Sequence, residues 1–174
     1  MKWRFAGTFL AAFAVLVIVW WLTAFGQRYR AVVLATVQLI SPAVNGWWLA
    51  YDQPGLVDPV VYRSGSHELP MLLNLPQLSM GFLPFLSLVI ATPGLGVRRM
   101  ARVAAVGSLA YFCIHVCVVL LYPVILDQPN FLKDTIGVFS GLVAFVLAPL
   151  ALWFGLTYPA LRSVWQLTPT PNAR

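Results

Sequence analysis

The chain has 174 residues, of which 60% are apolar and only 9% charged, with a formal net charge of +6. Its length bounds it to one domain, and so few charges cannot coat a water-facing globule, so an ordinary soluble protein is excluded. No basic stripe is interleaved with exposed aromatics, so the positive balance is read as membrane topology and no nucleic-acid partner is expected.

Met1 to Gln27 opens Met-Lys-Trp-Arg and is uncharged from Phe5 onward. Its apolar run of about 20 residues exceeds the roughly 7 to 15 of a signal-peptide core, so a transmembrane anchor over 1–27 is expected. A cleaved signal ending near Ala24-Phe25-Gly26 is the alternative.

Ala31 to Tyr51 is also uncharged but carries Gln38, Ser41, Pro42, Asn45 and Gly46. About 11 residues precede the proline, too few to cross a bilayer, and the Pro-to-Gly stretch would strand backbone groups in lipid. An interfacial helix on the outer surface is expected, with Trp47, Trp48 and Tyr51 at headgroup depth. A broken fifth crossing is the alternative.

Asp52 to Leu75 is the one polar region. Val60-Val61-Tyr62 and Met71-Leu72-Leu73 flank Ser64-Gly65-Ser66-His67, which predicts a short external hairpin. A lone hairpin is marginal in water, so this one should lean on the interfacial helix or on a partner. Trp47, Trp48, Tyr62 and His67 are the candidate contacts.

The run from Leu69 to Val97 is uncharged and is followed at once by Arg98, Arg99 and Arg102. A second crossing is expected within about Gln77 to Leu95, closed by a Pro93-Gly94 turn, and the three arginines mark a cytoplasmic loop. A third crossing is expected over about Arg102 to Leu126, then an external loop, Asp127 to Asp134. The fourth covers about Thr135 to Leu161 with a kink at Pro149, and 162–174 is a polar cytoplasmic tail.

The expected fold is thus an all-α membrane protein with four transmembrane helices, an interfacial helix and a short β-hairpin. It divides into an anchor (1–27), an external segment (28–75), a three-helix region (76–161) and a tail. With both termini inside, seven basic residues lie on the cytoplasmic side against four outside, and all five acids fall outside. A five-crossing model scores the same, so the broken Pro42 to Gly46 stretch is what favours four.

Cys113-Ile114-His115-Val116-Cys117 is the string richest in chemistry. On a helix the two cysteines share a face and His115 points about 200° away, so the three cannot close on one metal or form a thiol–imidazole pair. The bland reading is packed thiols and a hydrogen-bonded histidine; the sharper one is a mid-membrane imidazole ligating a haem or chlorophyll-type pigment. No catalytic residue and no metal site is assigned, and no cofactor is expected outside that alternative. His67 and Glu68 read as solvated turn residues.

The run Leu73-Asn74-Leu75-Pro76 through Gly81-Phe82-Leu83-Pro84-Phe85-Leu86, with Ala91-Thr92-Pro93 and the arginines behind it, resembles the exosortase-associated small membrane proteins. The order of parts resembles theirs too. That resemblance implies a non-catalytic accessory subunit beside a membrane transpeptidase that processes C-terminal sorting tails, and it carries over no catalytic residue. The expected setting is the bacterial inner membrane, with the lipid bilayer and other integral membrane proteins as partners. The alternative is a subunit of an electron-transfer or photosynthetic complex holding haem or pigment through His115.

Overall fold

The computed structural model describes residues 2–50, 60–71, 81–127 and 130–164. Tyr51, the stretch around Asp52 and Asp58, the expected strand residues Leu72 and Leu73, and the tail from 165 lie outside them.

The described chain is mainly helical, in the order α1 (Lys2–Leu22), α2 (Phe25–Val44), β1 (Trp48–Ala50), β2 (Val60–Ser64), β3 (His67–Met71), α3 (Phe82–Ala91), α4 (Val97–Leu126), α5 (Phe131–Leu142) and α6 (Ala148–Val164). Helix α4 is the axis of the molecule, touching α2, α3, α5, α6 and β3. Its 30 residues contain Pro123 only in the last turn, where a missing N–H costs least of the ladder.

Among the described residues two helices, Trp3–Leu22 and Val97–Leu126, are long and apolar enough to cross a membrane. Four were expected, and the difference has two local causes. Helix α3 has ten residues, about 15 Å of rise, and Pro93 with the positive-φ Gly94 stops it after Ala91; the residues before Gly81 lie outside those described. The fourth segment is divided by a π-turn at Val143–Leu147 between α5 and α6.

That turn sits where Pro149 was expected to kink the chain. Proline donates no N–H, so the carbonyl that it would serve in the helix loses its backbone donor. The Ala148 N–H reaches back five residues to the Val143 carbonyl. In that register the next donor would be residue 149, and its acceptor would be Ala144.

Helix α2 begins earlier than expected, after a sharp break at Thr23–Ala24 in which Ala24 adopts a left-handed φ of 49°. Its buried residues Arg30, Val33, Leu34, Val37 and Ser41 recur at helical spacing and form one face. Tyr29 bonds to His115 and Asn45 to the Leu120 carbonyl. Tyr29 near the start of α2 and Asn45 just past its end thus both reach the short stretch His115–Leu120 of α4.

The polar residues at the end of α2 form a turn. Ser41 donates to the Trp47 carbonyl at 2.8 Å, and Asn45 accepts from the Trp47 N–H at 3.0 Å. They launch β1, so the expected hairpin is a three-stranded antiparallel sheet in the order β1-β2-β3. Trp48 pairs with Arg63, and Ser64 with His67 around a two-residue turn. Gly65, with φ of 60° at the first turn position, supplies the conformation that this tight hairpin requires. The partner strand starts at His67, four residues before the expected Met71.

Three apolar clusters hold these parts together. Val33, Val37, Leu49, Val60, Tyr62 and Val119 join α2 and the sheet to α4. Phe82, Tyr111 and Ala148 tie α3, α4 and α6 at the middle, and Phe85, Val89 and Val103 continue toward the arginine end. Outside them α1, lying along α3, and α5 carry their apolar side chains outward: Trp3 is 89% and Phe131 88% exposed. The expected external loop is short, since Asn130 caps α5 by accepting from the Lys133 N–H at 2.9 Å, which puts Lys133 and Asp134 on the first helical turn.

Candidate functional site

The buried polar centre is built on one face of α4, where Tyr111 and His115 lie one turn apart. Both are fully buried, and their rings pack with centroids 4.2 Å apart. Tyr29 from α2 closes one side, its hydroxyl 2.6 Å from His115 Nδ1, and Phe82 from α3 meets Tyr111 edge-on at 4.8 Å. Three helices distant in sequence thus converge on one imidazole.

The Tyr111 hydroxyl does a specific task. It donates to the Ala144 carbonyl at 2.9 Å, the acceptor that Pro149 cannot serve. A tyrosine on α4 therefore replaces the N–H missing from the neighbouring helix, and a buried carbonyl that would otherwise be orphaned is satisfied. Gly81 completes the fit: a Cβ there would overlap the Tyr111 hydroxyl and come within 3.1 Å of the Pro149 ring.

His115 is satisfied on one side only. One hydrogen bond joins Nδ1 to the Tyr29 hydroxyl, while buried Nε2 has no partner among the described residues. The ring either donates at Nδ1 and leaves Nε2 an acceptor, or accepts there and leaves Nε2–H a donor. An orphaned buried polar atom costs roughly 1–3 kcal/mol, the kind of cost that marks a site or a bound group.

The other sequence candidates are dispersed. Cys113 and Cys117 are both exposed while His115 is buried, so no thiol meets the imidazole. No group of three or more His, Cys, Asp or Glu is placed to hold a metal among the described residues. Trp48 is 63% exposed and Trp47 is partly buried against the first cluster. Tyr62 is fully buried, donating to the Val119 carbonyl at 2.5 Å, so it anchors the sheet on α4 and presents nothing to a partner. Burial, reinforced by Tyr122, pushes its phenol above the usual range. His67 is exposed on β3 beside the cross-strand pair Arg63–Glu68, whose 2.9 Å contact is worth well under about 1 kcal/mol at that exposure. Arg98, Arg99 and Arg102 are exposed on the first turns of α4.

Tyr29 and Tyr111 escaped the sequence reading. Tyr111 carried a signal, its i, i+4 spacing to His115, whereas Tyr29 lies 86 residues away and carried none. No family model matches the chain, and neither a curated protein nor a solved structure does.

Proposed function

We propose that the chain is a multi-pass protein of the bacterial inner membrane, with both termini cytoplasmic, acting as a non-catalytic accessory or assembly subunit. The observation that carries this reading is α1, whose 20 residues Trp3–Leu22 are long and apolar enough to cross a bilayer and of which none is buried within the protein. A helix apolar all round has to be covered by lipid or by other helices. Four crossings follow if α3 is extended by the residues before it and if Phe131–Val164, about 50 Å of helical rise, crosses as one rod through its π-turn. Helix α2 and the sheet then form an outer platform, where exposed Trp48 and His67 face a partner. Polar side chains are spent on holding helices together, which suits a scaffold. The resemblance to exosortase-associated proteins makes a membrane transpeptidase the partner class.

Alkaline carbonate is expected to leave the protein in the membrane pellet, and a mild-detergent pull-down is expected to recover a stoichiometric integral membrane partner. Release by carbonate overturns the membrane reading. A monodisperse monomer without a partner overturns the accessory role.

One observation favours a second reading. With Nδ1 held by Tyr29 and Nε2 unpartnered, His115 is the residue that would hold a haem or pigment metal through Nε2, although Tyr111 at 4.2 Å means that helices must part to admit a macrocycle. A Soret band in protein purified from its native host, lost in His115→Ala, would establish it. A colourless preparation removes it.

A further inference from the structure

At the arginine end of the molecule a groove of about 640 Å³ runs between α4 and α6, lined by Arg98, Arg99, Arg102, Val103, Val106 and Leu156. We propose that this groove binds an anionic phospholipid, with the phosphate on the arginines and an acyl chain along Val103, Val106 and Leu156. The inference rests on the membrane reading above, and three features carry it.

The first is the order of the lining. The cations occupy the first turns of α4 and the apolar residues the next, so the groove grades from charge to hydrocarbon over about 10 Å, the dimensions of an amphiphile. A soluble anion would use only the arginines.

The second is the absence of competition. None of the three arginines is ion-paired among the described residues, where the salt bridge is Arg63–Glu68. The described acids lie elsewhere: Asp127 caps the far end of α4, roughly 45 Å away, Asp134 begins α5, and Glu68 is on the sheet that leans on Val119. Three guanidiniums with no carboxylate at hand among the described residues are complementary to a phosphodiester, which each can bind bidentately.

The third is position. Arg4 lines a second groove with Phe5, Thr8 and Ala91 at the neighbouring end of α3, so cations gather around one end of the bundle. Basic pockets between transmembrane helices at the cytoplasmic surface are where anionic headgroups bind.

The test uses the full chain in mild detergent with equal amounts of phosphatidylglycerol and phosphatidylcholine, with retained lipid read by native mass spectrometry. Retention of phosphatidylglycerol is expected to exceed that of phosphatidylcholine on the order of tenfold. The preference should vanish in Arg98→Gln/Arg99→Gln/Arg102→Gln and survive in Arg28→Gln/Lys133→Gln, which removes two cations from elsewhere. Val106→Trp fills the groove without changing charge and should also lower retention. Equal retention of the two lipids, or an unchanged preference in the triple variant, overturns the proposal. Displacement of the lipid by an equal concentration of inorganic phosphate overturns it in favour of a soluble anion. Carbonate extraction of the same membranes separates the two failures: a pelleted protein without lipid preference sinks the groove alone, and a washed-off protein sinks both.

Discussion

Replacing Gly107 with leucine is expected to abolish accumulation of folded protein, and Gly107→Ala to lower stability by about 1–3 kcal/mol, offset in part by the helix propensity that alanine gains. The Phe85 ring lies against the bare backbone of α4 at this point, and a Cβ on Gly107 would overlap it. Phe85 is fully buried in the cluster that joins α3 to Val103, so its ring has no free space to retreat into. Close approach of backbones is a main source of adhesion between helices packed in a bilayer. Phe85→Leu in the Gly107→Ala background should restore part of the loss, because the shorter side chain vacates the colliding volume. Gly155→Ala is the control: nothing lies within 4 Å of a Cβ there, and this substitution should be neutral or slightly stabilising. Recovery of folded protein checks the leucine variant, and melting in detergent checks the other three. An equal loss for Gly155→Ala and Gly107→Ala would show that helix backbone, and not the Phe85 contact, sets the response.

Hydropathy located the helical segments only approximately: long uncharged runs are a local signal, but α2 also takes in Arg28 and Arg30, and α4 takes in Arg98 and Arg99. It placed the turn after α3 at Pro93-Gly94 and a fault in the last helix at Pro149. It could not say that the fault would be a π-turn, because the choice depends on a tyrosine 33 residues earlier in the chain. The end of α2 shows the same limit. A break was expected at Pro42, yet α2 runs through Ser41 and Pro42 to Val44, and the way Ser41 and Asn45 launch β1 depends on hydrogen bonds to Trp47 and to the Leu120 carbonyl. Strand β1 is three residues long, too short for any alternation to be visible.

For the candidate site the division is similar. Helical geometry separates His115 from the cysteines at once, and the structure keeps them apart. The environment of His115 was not legible, because its partner Tyr29 lies 86 residues away and arrives through the break at Ala24. An amphipathic pattern in α2 indicates which face is buried but not the helix it is buried against.

The second large effect concerns the hydroxyl of Tyr111. Tyr111→Phe is expected to cost about 1–3 kcal/mol, since it leaves the buried Ala144 carbonyl without a donor while the ring still fills its place. At roughly 2–4 °C per kcal/mol, the melting temperature should fall by several degrees. Pro149→Ala tests the reason, because it supplies the N–H that proline lacks. Whether the segment keeps its π-turn or tightens to an α-helix, residue 149 or residue 148 can then donate to Ala144. In that background the Tyr111 hydroxyl becomes redundant, and removing it should cost only a few tenths of a kcal/mol, a coupling between the two sites of about 1–2 kcal/mol. If Tyr111→Phe costs the same with and without Pro149, the hydroxyl is not standing in for the proline, and its importance has to come from the packing around His115 instead. The cycle thus separates the two tasks of one side chain: mending the last helix, and walling the imidazole.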